Sequence, residues 1–149
     1  MRGDGAMGNS EVLSNPVTYR IESKMPASQE LIKLVDDYKK YRTQYISPNY
    51  DEYSVRSEYI DKFFKILGWN VYNDNPRLPE QNKEVLREER IDSGKPDYTF
   101  RLGQTTKFYV EAKKPSVDIT DAWEPAVQLR SYAWNSKLSL SILTNFEDF

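Results

Sequence analysis

The stretch Pro96-Asp97-Tyr98-Thr99-Phe100-Arg101-Leu102-Gly103-Gln104-Thr105-Thr106-Lys107-Phe108-Tyr109-Val110-Glu111-Ala112-Lys113 decides how the chain folds. Two runs rich in aromatic and β-branched residues, 96–102 and 107–113, flank Gly103, which is the pattern of a β-hairpin. Along the second run the period of two puts Phe108, Val110 and Ala112 on one face and Tyr109, Glu111 and Lys113 on the other. Glu111 and Lys113 are therefore neighbours. Asp97 follows Pro96 at the start of the first strand, and the hairpin can bring it alongside Glu111. Two carboxylates and one ammonium then share a small volume.

Such a cluster suits phosphodiester hydrolysis. Carboxylates can hold Mg²⁺, or Mn²⁺ as a substitute, and the metal acidifies a bound water and neutralises charge on phosphate oxygens. Lys113 can orient that water or offset developing negative charge. On its own Glu111-Ala112-Lys113 says little, because Glu-x-Lys recurs by chance and often decorates a solvated strand edge.

Upstream, a helix is predicted from Ser28, which can cap it. Leu31, Leu34, Val35, Tyr38, Tyr41 and Tyr45 recur at spacings of three and four. Ser47-Pro48-Asn49 breaks the chain, and a second helix is predicted over 51–67, with Val55, Tyr59, Ile60, Phe63, Ile66 and Leu67 on one face and Gly68 as its stop. At about 100° per residue, Glu52 and Arg56 fall within this apolar stripe and Glu58 near the solvent side. Glu52 and Arg56 are either a mutual i,i+4 ion pair, the more common outcome, or contributors to a site. Strands are expected over 69–72 and 85–89, a loop around Asn73-Asp74-Asn75-Pro76, a helix over 123–135 and a last strand over 138–144. The order αβββαβ implies an α/β fold of the mixed α+β kind, with a central mixed sheet of about four to five strands flanked by helices.

Composition bounds the chemistry. The 149-residue chain has the length of one domain and contains neither Cys nor His. Disulfides, thiolate zinc sites, cysteine nucleophiles and imidazole bases are excluded, so any metal must be held by oxygen, which points to a hard cation. No apolar run approaches the ~18 residues of a membrane span, so a cytoplasmic location is the default and no membrane partner is expected. The net charge of −2 and pI near 5.3 give no overall basic footprint. The charge is uneven: residues 83–114 carry eight Lys or Arg against six acids, and residues 116–149 two against five. Residues 1–25 open with Met1-Arg2-Gly3-Asp4-Gly5-Ala6-Met7-Gly8 and read as a flexible or expression-derived leader, leaving 26–149 as the folded domain.

Gly94-Lys95-Pro96-Asp97-Tyr98 followed by Val110-Glu111-Ala112-Lys113-Lys114, with thirteen residues between Asp97 and Glu111, resembles the PD-(D/E)XK nuclease superfamily. Gln128-Leu129-Arg130-Ser131-Tyr132 resembles the Gln-xxx-Tyr element of one branch of it, and Leu143-Thr144-Asn145-Phe146 resembles the strand end that follows. Asp51-Glu52 with Arg56, Tyr59-Ile60 and Leu67-Gly68-Trp69 resembles the first core helix of nuclease domains at the N-terminus of single-chain (type IIG) restriction-modification enzymes or of type I restriction subunits.

The resemblance spans roughly residues 50–149 and implies a restriction-endonuclease-like core. It implies a magnesium-dependent DNA endonuclease with Asp97, Glu111 and Lys113 as catalytic centre. Asp97, Glu111 and the Ala112 carbonyl would be metal ligands, and Glu52, Gln128 and Tyr132 would support them. Glu58 is the weaker candidate for the helix glutamate. It further implies DNA as partner, a downstream methyltransferase or helicase region in a larger parent protein, and a dimer for double-strand cleavage. Two alternatives stand beside it: a catalytically silent nuclease-like module for DNA binding or assembly, and a repair or mobile-element nuclease using the same site.

Overall fold

A computed structural model describes residues 27–74 and 78–149. The expected leader lies outside the described residues, as do residues 75–77 of the expected loop. Helix α1 (Gln29–Tyr45) begins where Ser28 accepts a hydrogen bond from the Leu31 backbone N–H, as its capping chemistry requires. Leu34 and Tyr38 face the core, but Tyr41, expected on the same stripe, is exposed, because its own backbone leaves helical geometry (φ −118°, ψ 16°).

The second expected helix is continuous but not uniform. It runs through α2 (Glu52–Val55), a π-helical turn at Arg56–Ile60 and α3 (Asp61–Ile66). Asp51 caps it by accepting from the Ser54 backbone N–H at 2.7 Å. The π turn holds one residue more than an α turn would, and the inward face slips accordingly. Val55, Ile60 and Phe64 are buried, whereas Phe63 is only half-buried and Leu67 is exposed. The same slip buries Asp61, which is 1% exposed.

The strand expected over 69–72 is absent. Val71 plugs the core, but its backbone N–H turns back to the Trp69 carbonyl instead of pairing with the sheet, and Asn73 closes a turn at φ +48°. Among the described residues the sheet has four strands in the order β1-β2-β3-β4: Val85–Arg87, Tyr98–Leu102, Thr105–Ala112 and Ser141–Thr144. The first three are antiparallel neighbours, and β4 lies parallel to β3 after the crossover through α4 (Trp123–Asn135). Leu102 pairs with Thr105, so Gly103 (φ +60°) and Gln104 form the two-residue hairpin turn. A mixed α/β core with helices on the sheet is therefore present as expected.

Two apolar clusters hold the layers together. Phe64, Val71, Tyr98, Phe100, Val110 and Ala112 pack under α1 to α3. Tyr109, Leu129 and Tyr132 join Ile91, Leu138 and Leu143 under α4. The alternation of β3 feeds both, and Glu111 follows Tyr109 onto the α4 side. Among the described residues, no helix is long and apolar enough to cross a membrane.

Candidate active site

Pairing of Tyr98 with Val110 sets the hairpin register, which leaves Asp97 just beyond β2 and opposite the end of β3. There the Ala112 backbone N–H donates to Asp97 Oδ2 at 2.7 Å. The other oxygen, Oδ1, accepts from Arg56 Nη1 at 3.0 Å. Glu111, 7% exposed, presents Oε1 to Lys113 Nζ at 3.0 Å. Glu52 Oε2 lies 3.7 Å from the same ammonium. Asp97, Glu111, Lys113 and Glu52 thus gather at one end of the β2–β3 hairpin.

The electrostatics are those of crowded carboxylates. Burial first, then the charge of Asp97, pushes the Glu111 carboxyl above its ordinary range, against the pull of Lys113. Glu52 is raised by burial and by Asp97, with Lys113 opposing. Burial works against the charge on Lys113, but the hydrogen bond it donates to Glu111 and the charges of Glu111, Glu52 and Asp97 outweigh it and hold the ammonium charged. Two atoms of the cluster are left over: Glu111 Oε2 and Arg56 Nε are both buried with no hydrogen-bond partner. A buried carboxylate oxygen without a donor is costly and marks a place where a cation or polar ligand would be welcome. Among the described residues, no three acidic side chains stand close enough together to form a metal cage unaided.

Gln128 and Tyr132 bond to each other, the Gln128 amide donating to the Tyr132 hydroxyl. Tyr132 is buried against Tyr109 and beside Gly94. Neither hydrogen-bonds to Asp97, Glu111 or Lys113. Glu58 is exposed and accepts from the Tyr50 hydroxyl.

Glu52 and Arg56 do not form the mutual i,i+4 ion pair expected as the more common outcome. Arg56 makes no direct pair with Glu52 and instead pairs with Asp97 and, at 3.2 Å, with Glu88. Glu88 in turn meets Lys95 at 2.9 Å. Residue pattern marked Arg56 as inward-facing but gave no sign of these partners, which are 41 and 32 residues away in the chain. Behind it stands a second network unnoticed in the sequence: Tyr98 donates to Asp61 Oδ1 at 2.7 Å, and Arg87 pairs with Asp61 Oδ2 at 2.5 Å. Its only sequence signal was an acid one step off an apolar helical face.

Comparison with known proteins finds 43% identity over 129 residues to the type II restriction enzyme and methyltransferase RM.Eco57I of Escherichia coli. This chain is related to a restriction-modification enzyme. The match covers 83% of the chain but only 13% of the Escherichia coli enzyme, so the chain spans about an eighth of that relative's length. No family model and no solved structure matches.

Proposed function

We propose that the chain is a metal-dependent DNA endonuclease domain of the PD-(D/E)XK type, working in the cytoplasm as the cleavage module of a restriction-modification enzyme. The observation that carries the reading is the partnerless, buried Glu111 Oε2 beside Lys113 and Asp97. Asp97, Glu111 and the Ala112 carbonyl would hold Mg²⁺ or Mn²⁺. Two carboxylates and a carbonyl, with waters completing the shell, match the habit of Mg²⁺ better than an all-protein cage. Asp97 uses one site on each oxygen, for Arg56 and for Ala112, and a carboxylate accepts at about four. When bound, the metal would supply an acidified water and positive charge for the phosphate oxygens.

The chain's own residues do the rest. Lys113 orients the attacking water and offsets charge as the phosphorus–oxygen bond breaks. Glu111 fixes that ammonium through its 3.0 Å contact. Glu52, on a capped helix, draws the same ammonium from the other side. Gln128 and Tyr132 brace the α4 side. DNA is the substrate, and the relative, a fused restriction enzyme and methyltransferase, suggests a methyltransferase region in the parent polypeptide.

Cleavage of supercoiled DNA in Mg²⁺ is the test. Loss of cutting in Lys113→Ala is expected, and a variant that cuts as well as the parent rules out the role given to Lys113. One observation favours a second reading, a silent nuclease-like module: Asp97 and Glu111 already have cationic partners, as purely structural ion pairs would. Mn²⁺ titration separates the two, since the silent module binds no metal and the nuclease binds it through Asp97.

A further inference from the structure

Arg56 is 8% exposed and opens the π turn, whose Asp61 backbone N–H donates to the Arg56 carbonyl. The extra residue in that turn lets Arg56 and Asp61 straddle the same ring, with the guanidinium 5.0 Å over the face of Tyr98 and the Asp61 carboxylate at its hydroxyl. The fork is thereby aimed along the sheet end. Nη1 reaches Asp97 Oδ1 and Glu88 Oε1, and Nη2 touches the Asp97 carbonyl at 3.4 Å. Asp97 is held on both sides, by Arg56 and by the Ala112 N–H.

Resting on the metal-site reading above, we infer that Arg56 is a positioning residue that aims the Asp97 carboxylate and, as the standing counter-charge on it, competes with the divalent cation. Two effects of opposite sign follow. Without Arg56 the site is more negative and takes up a divalent cation more readily. Without Arg56 the Asp97 carboxylate is also held by the Ala112 N–H alone and can turn about that bond, and a misaimed ligand slows the reaction even when metal is bound. A residue that merely supports the fold would lower metal affinity and rate together. Glu88 shares the guanidinium, and its backbone sits at φ +52° where its N–H donates to the Asp97 carbonyl. It moderates how strongly Arg56 acts on Asp97.

The test is Mn²⁺ binding by the folded chain, followed by electron paramagnetic resonance of free Mn²⁺, beside single-turnover DNA cleavage at saturating metal. Arg56→Met is expected to bind Mn²⁺ about tenfold more tightly, the order expected for removing a unit charge a few ångströms away, and to cleave at least about tenfold more slowly. Arg56→Lys restores the charge without the fork, so its Mn²⁺ affinity returns toward the parent's while cleavage stays slow. Equal or weaker Mn²⁺ binding by a folded Arg56→Met overturns the inference. Should that variant not fold, Glu88→Gln at the half-exposed partner carries the test: it releases Arg56 wholly to Asp97, and Mn²⁺ binding weakens by roughly threefold. Unchanged or tighter binding in Glu88→Gln overturns it equally. A parent that binds no Mn²⁺ removes the metal-site reading and this inference with it, whereas a binding parent with the wrong variant order removes this inference alone.

Discussion

Asp97 and Ala112 are tied together across the β2–β3 hairpin, the backbone N–H of one donating to the carboxylate of the other at 2.7 Å. Since Arg56 donates to the second oxygen, each oxygen of Asp97 accepts from one donor. Asparagine at position 97 has one oxygen to offer two donors, so either the Ala112 N–H or the guanidinium faces an amide NH₂. Asp97→Asn is expected to lose about 2 kcal/mol of stability and its Mn²⁺ binding. Urea denaturation and metal titration check the two effects, and a variant of parental stability would contradict the clamp.

Tyr98 is fully buried and its hydroxyl is one of two donors on the buried Asp61 carboxylate. Tyr98→Phe keeps the ring under Arg56 and deletes only that donor, leaving Arg87, itself partly exposed, to satisfy Asp61. A loss of about 2 kcal/mol is expected for a hydrogen bond to a charged, buried acceptor, read as a lower urea midpoint with unchanged slope. Loss below a few tenths would mean that Arg87 alone suffices.

The raised carboxyls set a pH dependence. Glu111 and Glu52 hold protons more tightly in the fold than their ordinary value of 4.5, chiefly through burial. The folded state then binds more protons than the unfolded one, so stability falls as pH climbs from that value through the folded pKa. Asp51 acts oppositely: the Ser54 backbone N–H lowers it, and its contribution is present above its unfolded pKa and lost as pH falls through the folded one. Thermal midpoints measured across pH should decline less steeply above 4.5 for Glu111→Gln than for the parent. Added Mg²⁺ should raise the parent's midpoint more at neutral than at acid pH. An identical slope in the Gln variant would show that Glu111 is not the group responsible.

Gly94 has φ +146°, and a Cβ there would meet Tyr132 Cε1 at 2.6 Å and its hydroxyl oxygen at 2.7 Å. Alanine therefore has both a strained backbone and a ring in its way. Gly94→Ala is expected to cost about 2 kcal/mol and to displace Tyr132 from its partner Gln128, visible as altered Tyr132 ring resonances in the NMR spectrum. A variant with unperturbed resonances would mean that the ring has room to yield.

Local pattern carried the hairpin, the cap at Ser28, helix α4 and the convergence of Asp97, Glu111 and Lys113, because a two-residue turn and a period of two are written in adjacent residues. It did not carry the segment 69–72, where Trp69 and Val71 are apolar enough for a strand but serve as core plugs on a turning backbone. Nor did it carry the partners of Arg56. A helical wheel at a fixed angle places Glu52 and Arg56 correctly, then misplaces Phe63 and Phe64, since no residue in Arg56-Ser57-Glu58-Tyr59-Ile60 announces the wider turn. Asp61 was missed for that reason, and Glu88 and Lys95 because long-range charge pairing has no local spelling.

The wide turn at Arg56–Ile60 makes the helix a splice of two reading frames. Glu52 and Arg56 keep the frame that serves the carboxylates, and Asp61 and Phe64 keep the frame that serves the core. Removing any single residue between them would leave an unbroken and better hydrogen-bonded helix, yet one half would then point its side chains a full step astray. What couples the chemistry to the fold is thus the length of this segment more than its composition, and insertions or deletions there should be far less tolerated than substitutions at its exposed positions.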